Sequence, residues 1–539
     1  MSDNSTAPVG DAEYEADIAI TTHGVVHVTA GDWGSLGYGQ GWACARDNLP
    51  VIADQILKAN GRRALFHGEG PQSAHVASDF GYRMLGLTES AASLRDAQPD
   101  WVKSLVSGYV TGYNRAVEET DASELPPWCR DAKWISTIDE LEFWAHIGDV
   151  TLMASGRNLA QLIGRAEAPG PEGPVPPSPM EALAAQSHGA SNGWAVGGDV
   201  SASGGGMVLA NPHFPWYGEA RFWECHLRIP GTYDTYGVSL LGTPGVQIGF
   251  NSDIAWTHTF SKGHRFTLAR LDLAAGHPTS YRFGDEVREM ESEQHRVEVA
   301  DGSGGTTTVE RTLWRSHMGP MLNMPLLGWS EDLGFTFRDA NDDNAAVLEQ
   351  FLRMGQAQSV PDLRKVFHEV KGLPWVNTMA ADRHGDAWYT DSSATPALSE
   401  EAQSRFEGRI DDDFVAALLY QNRIALLDGS DPDDEWVDLP GARSPGLVPP
   451  EALPELHSRA IVANANDSHW LNAADQVLEG YTPMGGLERT PRSLRTRQNL
   501  RRARALSERG AVTPQDLLDE LWSNASLSAE LLADAVVER

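Results

Sequence analysis

The chain has 539 residues, too long for a small scaffold that needs disulfide staples, and its 41% hydrophobic content with 17 Trp supports a sizeable packed core rather than disorder. Its formal charge of −33, from 42 Lys and Arg against 75 Asp and Glu, excludes a broad nucleic-acid footprint and disfavours polyanionic partners. Cys44, Cys129 and Cys225 are widely spaced and contain no C-x-x-C pair, so neither a disulfide framework nor a thiolate metal site is indicated.

In chain order, Met1 to Asp17 is polar and acidic, without the apolar stretch of a secretory signal, and no window approaches the ~20 apolar residues of a membrane span. A soluble protein is expected. Ile18 to Ala30 is β-branched and reads as strands, and helical patterns run from Asn48 to about Arg165. A capping box is predicted at Thr137 with Glu140, ahead of the apolar face Leu141, Trp144 and Ala145, with helix continuing towards Gly164. Glu167 to Met180 holds six prolines in fourteen residues and reads as an exposed linker.

Beyond the linker, Trp194 to Phe260 is rich in Gly, aromatic and β-branched residues and predicts antiparallel strands. Gly263 to Thr312 reads as peripheral strands, and Ala345 to Val370 returns to a helical period. Two short strands are expected around His384-Gly385, with another strand and turn over Ala460 to Leu471. Thr513 is an expected N-cap with Pro514 at the first helical position, and an amphipathic stretch runs to Arg539.

Ser191 stands directly after the linker, in Ser191-Asn192-Gly193-Trp194-Ala195-Val196-Gly197-Gly198. A cut before it would expose a serine with a free α-amine of ordinary pKa near ~8, able to take the hydroxyl's proton without a separate base. Strand-like Trp194 to Gly197 and Met207 to Ala210 describe a hairpin centred near Ala202, a register that brings Ser191 beside His213. Two prolines flank that histidine in Asn211-Pro212-His213-Phe214-Pro215-Trp216 and fix its backbone. An ordinary hairpin serine and an incidental loop histidine are the bland alternatives.

The SNGWAVGG and ANPHFPW segments resemble those of the penicillin amidase family of N-terminal-nucleophile hydrolases, most nearly its acyl-homoserine lactone and aculeacin acylase branch. The resemblance extends to Gly37-Tyr38-Gly39-Gln40-Gly41 with Asp47-Asn48, Gly249-Phe250-Asn251, and Ala255-Trp256-Thr257-His258-Thr259. It continues through Leu373-Pro374-Trp375-Val376-Asn377-Thr378 with Ala381-Asp382, and Asn464-Ala465-Asn466-Asp467-Ser468. It implies an α+β protein with a four-layer αββα core, cut between Ala190 and Ser191 into a mostly helical α chain, 1–166, a spacer, 167–190, and a β chain, 191–539. The family usually has Gly before the nucleophile, where this chain has Ala190 preceded by Gly189.

By this resemblance Ser191 attacks, its α-amine carries the proton, His213 tunes that amine, and the Phe260 backbone N–H with the Asn466 side chain binds the oxyanion. Arg495 matches a family arginine near the nucleophile, and Phe214 and Trp375 enclose a fatty acyl chain. The implied activity is hydrolysis of an N-acylated small molecule such as an acyl-homoserine lactone or a lipopeptide. A β-lactam acylase is the alternative of the same class, and an unprocessed, silent binding scaffold the alternative of another class. No cofactor, no nucleic acid and no membrane span are expected, and the partners are the substrate and the two processed chains. A carboxylate pair, H-E-x-x-H and a phosphate-cradling loop are all absent from the sequence. Some family members hold a structural calcium, to which Asp253 or Glu142 would contribute here, although no ligand spacing compels it. Members are commonly periplasmic or secreted. A family β chain is normally longer than the 349 residues (539 minus 190) that follow Ala190, so the C-terminal part reads as shortened.

Overall fold

The computed structural model describes residues 13–170, 176–179, 190–473 and 476–539, and the backbone alone of 7–10 and 421. Most of the proline-rich spacer, 171–175 and 180–189, lies outside the described residues. The chain opens with strands β1 (Ala7–Gly10), β2 (Glu15–Ile20) and β3 (Val26–Ala30). Helices α1 (Trp33–Ala59), α2 (Arg63–His67), α3 (Ala74–Leu85), α4 (Leu87–Asp96), α5 (Asp100–Glu119), α6 (Glu140–Thr151) and α7 (Gly156–Gly164) follow. Past Ala190 come β4 (Ala190–Val196), β5 (Met207–His213), β6 (Phe222–Ile229), β7 (Tyr233–Leu240), β8 (Ile248–Phe250) and β9 (Ile254–Phe260). The peripheral strands are β10 (Phe266–Ala274), β11 (His277–Phe283), β12 (Glu286–Glu289), β13 (Glu291–Ala300), β14 (Thr306–Arg315), β15 (Met321–Leu322) and β16 (Leu333–Asp339). The rest is α8 (Val347–Met354), α9 (Val360–Val370), β17 (Val376–Asp382), β18 (Ala387–Thr390), α10 (Glu400–Asp412), α11 (Phe414–Gln421), β19 (Ala425–Asp428), β20 (Glu455–Ser458) and β21 (Ile461–Asn464). Three helices close it, α12 (Leu494–Arg509), α13 (Pro514–Trp522) and α14 (Leu527–Val537).

The architecture is mixed α and β. Ten strands form one sheet in the order β1-β2-β3-β6-β7-β8-β9-β17-β18-β20, and β21-β4-β5 form a small second sheet. Alternation along β17 and β18 sends Ala380 and Trp388 into a core shared with α1, α5 and α6, and sends Met379, Ala381, Ala387 and Tyr389 to the opposite face. That opposite face packs against Ala195 of β4 and Val462 of β21. The far side of the small sheet, through Trp194, Val196 and Ile461, is covered by Ala503 and Leu506 of α12 and Leu517 of α13. Helices thus pack on one face of the large sheet, the small sheet packs on its other face, and α12 and α13 cover the far side of the small sheet. No helix among the described residues is long and apolar enough to cross a membrane.

Several elements differ from the sequence expectation. The first long helix begins at Trp33 rather than Asn48, capped by Asp32, whose side chain accepts from the Ser35 N–H. Four glycines in its first turns hid it, since glycine is a poor helix former. Asn48, at φ −143°, breaks the helical geometry two residues before Pro50, where the ring displaces the preceding turn. The capping box predicted at Thr137 sits instead at Asp139 with Glu142, where an aspartate supplies the cap, and the helix ends at Thr151 before α7 resumes at Gly156. Thr513 and Pro514 do open α13, with Asp516 completing the box.

Candidate active site

Ser191 lies on β4, where it is paired with Pro212 of β5, while β21 pairs the other edge of the strand from Gly193 to Val196. Its side chain is buried, at 1% exposure. In the unbroken chain its hydroxyl donates to the Ala190 carbonyl oxygen at 2.6 Å, and its backbone N–H donates to Asn466 Oδ1 at 2.5 Å. Arg495 donates from Nη1 to the Ser191 carbonyl and to Asn192 Oδ1, each at 2.8 Å, and from Nη2 to Asn466 Oδ1 at 3.0 Å and to the Ala465 carbonyl. The Ser191 side of the Ala190–Ser191 peptide is thus held by side chains from the distant Asn464-Ala465-Asn466 turn and from α12.

Asn466 takes a left-handed backbone, φ +62°, a conformation Asn tolerates better than most residues. Its N–H donates to Asn464 Oδ1 at 2.8 Å and its Nδ2 to the Phe260 carbonyl at 3.1 Å, so its amide group spans from Ser191 to β9. Asn464 Oδ1 also accepts from Thr259 Oγ1 at 2.7 Å, and Asn377 Nδ2 donates to Thr259 Oγ1 at 3.0 Å. This network of Asn377, Asn464 and Thr259 had no assigned role in the sequence reading. The residues stand in the segments that carried the resemblance, and a buried polar group without a partner is costly, which was the available signal.

An apolar pocket with about 30 Å³ of free space lies against Ser191. Phe214, Phe260 and Trp375 line it, their rings in a row with centroids 5.5 and 4.7 Å apart, and Phe222 extends the row at 4.6 Å from Phe214. Trp375 is also pinned by its indole N–H donating to the Val150 carbonyl at 3.3 Å. Leu240, Ile248 and Phe351 are further apolar parts of the wall that the sequence did not single out, each being an ordinary apolar residue. His258, beside them, accepts or donates at Thr378 Oγ1, 3.0 Å away, and burial holds its imidazole down at about 4, so it is neutral near pH 7.

The expected Ser191–His213 pair does not form. Ser191 stands opposite Pro212, and His213 opposite Ala190, one residue off the expected register. A one-residue slip reverses the face a side chain occupies. His213 accordingly shares the face of Asn192 and Trp194 towards α12 and is exposed, while Ser191 faces β9. The apex is displaced because the connection is tied to the α13 approach, with Ala202 N–H donating to the Val512 carbonyl at 2.8 Å and Val512 N–H to Val200 at 2.7 Å. Partial burial and the Arg495 charge together lower the His213 pKa. Asp253 pairs with Arg383 at 3.1 Å and Glu142 with Arg62 at 2.7 Å, so both proposed calcium donors face guanidinium groups, and no cluster of three metal-ligating side chains occurs among the described residues.

A penicillin amidase family profile matches residues 15–539. The chain belongs to the penicillin amidase family. Aculeacin-A acylase of Actinoplanes utahensis is 36% identical over 555 residues, covering 98% of this chain and 69% of that protein. Acyl-homoserine lactone acylase PvdQ of Pseudomonas putida is 34% identical over 519 residues, covering 94% of this chain and 66% of that protein. The homologous PvdQ of Pseudomonas syringae pv. tomato is 33% identical, with the same coverage of 94% and 66%. The chain spans about two thirds of the length of these penicillin amidase family relatives.

Proposed function

We propose that this protein is an autoprocessed N-acyl amide hydrolase acting on N-acylated small molecules such as acyl-homoserine lactones or lipopeptides, with Ser191 as its nucleophile. The observation that carries the reading is the Ser191 hydroxyl 2.6 Å from the Ala190 carbonyl oxygen, beside an apolar pocket, with its own nitrogen bonded to Asn466. The stacking of helices, large sheet, small sheet and helices supports an N-terminal-nucleophile αββα core.

In maturation Ser191 Oγ attacks the Ala190 carbonyl carbon, the C–N bond breaks, and the hydroxyl proton passes to the departing nitrogen, leaving an ester and a free α-amine. Water then hydrolyses the ester, giving an Ala190 carboxylate and a Ser191 N-terminus. In turnover the same hydroxyl attacks the substrate carbonyl and gives its proton to the α-amine, which passes it to the leaving amine. Water releases the fatty acid from the acyl-enzyme. Asn466 Nδ2 exchanges the Phe260 carbonyl for the oxyanion, joined by the Phe260 N–H, and each such donor is worth about 10²- to 10³-fold in rate. The rings of Phe214 and Trp375 surround the acyl chain, each buried CH₂ contributing roughly 0.8 kcal/mol. Arg495 holds the Ser191 carbonyl, and its charge, after partial burial, also lowers the His213 pKa.

Intact-mass analysis with N-terminal sequencing tests the reading. Two fragments, one opening with Ser191, are expected in active material, and Ser191→Ala leaves an uncut, inactive chain of 58.6 kDa. Amide hydrolysis by an uncut wild-type chain, or by Ser191→Ala, would sink it.

A further inference from the structure

Strand β9 ends at Phe260, and the rung beyond it joins Ser261 to Trp375, whose carbonyl oxygen accepts from the Ser261 N–H at 3.3 Å. Hydrogen-bonded and non-hydrogen-bonded pairs alternate along an antiparallel ladder, so Phe260, opposite Val376, stands in a non-hydrogen-bonded pair with its N–H turned away from β17. On that outer edge β8 reaches only Ala255 and Trp256, and the Phe260 carbonyl on the same edge accepts from Asn466 Nδ2 at 3.1 Å. The sheet therefore gives the Phe260 N–H no strand partner, on the edge that faces Asn466, which holds the Ser191 nitrogen.

The groups that fix the direction of that N–H lie one residue further on. Arg265 and Asp391 form an ion pair at 2.8 Å, with both side chains 2% exposed. A pair so deeply buried adds little net stability, since desolvation offsets the attraction. Arg265 Nη2 also donates to Ser261 Oγ at 2.5 Å, the Gly263 N–H donates to the same oxygen at 2.8 Å, and the Ser261 hydroxyl donates to Asp391 Oδ2. A serine hydroxyl has one donor and two acceptor positions, and here all three are filled. Arg265 Nη1 meanwhile donates to the Ser393 and Ala394 carbonyls at 3.2 and 2.9 Å, and Ser393 Oγ accepts from the Val376 N–H and donates to the Val376 carbonyl, each at 2.8 Å. The ion pair thus clamps β9 at its end and β17 at its start. We propose that Ser261, anchored by Arg265 and Asp391, is the positioning residue that directs the Phe260 N–H at the oxyanion. This rests on the acylase reading above.

In Ser261→Ala the ion pair keeps its direct contact and only the hydroxyl link is lost. Removing an oxyanion donor outright costs about 10²- to 10³-fold, and a displaced one should cost about tenfold in kcat for N-dodecanoyl-homoserine lactone, with KM within about twofold of wild type. Undecylboronic acid gives a second readout: Ser191 Oγ bonds to its boron, the hydroxyl proton passes to the α-amine, and the tetrahedral boronate puts an oxygen where the oxyanion forms. Its affinity should fall about tenfold in the variant, while that of 1-undecanol, with the same chain and no such oxygen, stays unchanged. Ser261→Cys, with a much weaker hydrogen-bonding group of similar shape, should show the same split, and it carries the test where the alanine chain is not folded or not cut. Boronate and alcohol weakened alike, or neither weakened, overturns the positioning role. An active wild type with an unaltered variant refutes that role alone, whereas a wild type that hydrolyses no acyl amide and binds no boronate refutes the acylase reading.

Discussion

At the scale of single residues, the Asn466 side chain ties Ser191 to β9. It accepts from the Ser191 nitrogen, donates to Phe260 and is itself held by Asn464 and Arg495. Its left-handed φ separates side-chain from backbone effects experimentally, because Gly adopts that conformation freely while Ala is strained there, by roughly 1 kcal/mol. Asn466→Gly should therefore keep the fold, measured by thermal unfolding, yet lose about 10²- to 10³-fold in amide hydrolysis. Asn466→Ala should lose as much activity and also melt lower; full activity in the glycine variant would remove Asn466 from the mechanism. Arg495 supports a prediction about charge. Partial burial lowers the His213 pKa, and the Arg495 charge lowers it further by disfavouring the imidazolium. Arg495→Gln removes that repulsion, so the His213 titration, followed by imidazole proton NMR, should move to higher pH. An unmoved or lowered midpoint would show that the guanidinium is screened from the ring.

At the scale of elements, the glycines of the Gly37-Tyr38-Gly39-Gln40-Gly41 segment have a packing explanation that the motif alone did not supply. A Cβ on Gly37 would sit 1.9 Å from the Leu105 carbonyl oxygen, and one on Gly41 2.2 Å from that of Tyr109, both on α5. Reciprocally, a Cβ on Gly108 or Gly112 of α5 would sit 1.9 or 2.1 Å from the carbonyl oxygen of Gly34 or Tyr38, respectively. Helices α1 and α5 cross backbone to backbone through four glycines at spacing i, i+4, and Gly39 turns the other way, against Val28 and Ala16 of the large sheet. Gly41→Ala should destabilise the fold by more than the about 1–3 kcal/mol typical of overpacking, because rigid backbone is the obstacle. By contrast, Gly193→Ala on β4 meets the flexible end of Met379 at 2.4 Å and should be milder, and equal costs in urea unfolding would contradict this. The same residues mark what the sequence could reveal. The strands over 376–382 and 461–464 were legible because local turn residues, such as His384-Gly385, mark their ends. The α1 helix was hidden, because its glycines answer to α5, a partner some seventy positions away, rather than to local propensity. Ser191, Asn466 and Arg495 were legible as a group only through the resemblance, and the face of His213 was not, since one residue of hairpin register decides it.

At the scale of the molecule, the two sides of the Ala190–Ser191 bond belong to one folded body. Val26 to Thr29 of β3 pair in parallel with Cys225 to Arg228 of β6, so the large sheet runs through both parts. The main core mixes Ile18, Tyr38, Leu105 and Trp144 from the first part with Leu227, Trp256, Phe351 and Trp388 from the second. Lys58 and Arg157 reach across to Glu219 in the same way. Scission at the proposed bond would remove one covalent link while leaving this core intact, so the fragments should travel as one particle in native size-exclusion chromatography and part only in denaturant. The thermodynamic consequence is sharper. Unfolding of the intact chain is unimolecular, whereas unfolding of a cut protein releases two chains and becomes sensitive to mass action. The urea midpoint of processed material should therefore rise with protein concentration, and that of Ser191→Ala should stay fixed across the same dilution series. Fragments that separate under native conditions, or a processed midpoint indifferent to concentration, would mean that the two parts do not share the core as the sheet and its side chains indicate.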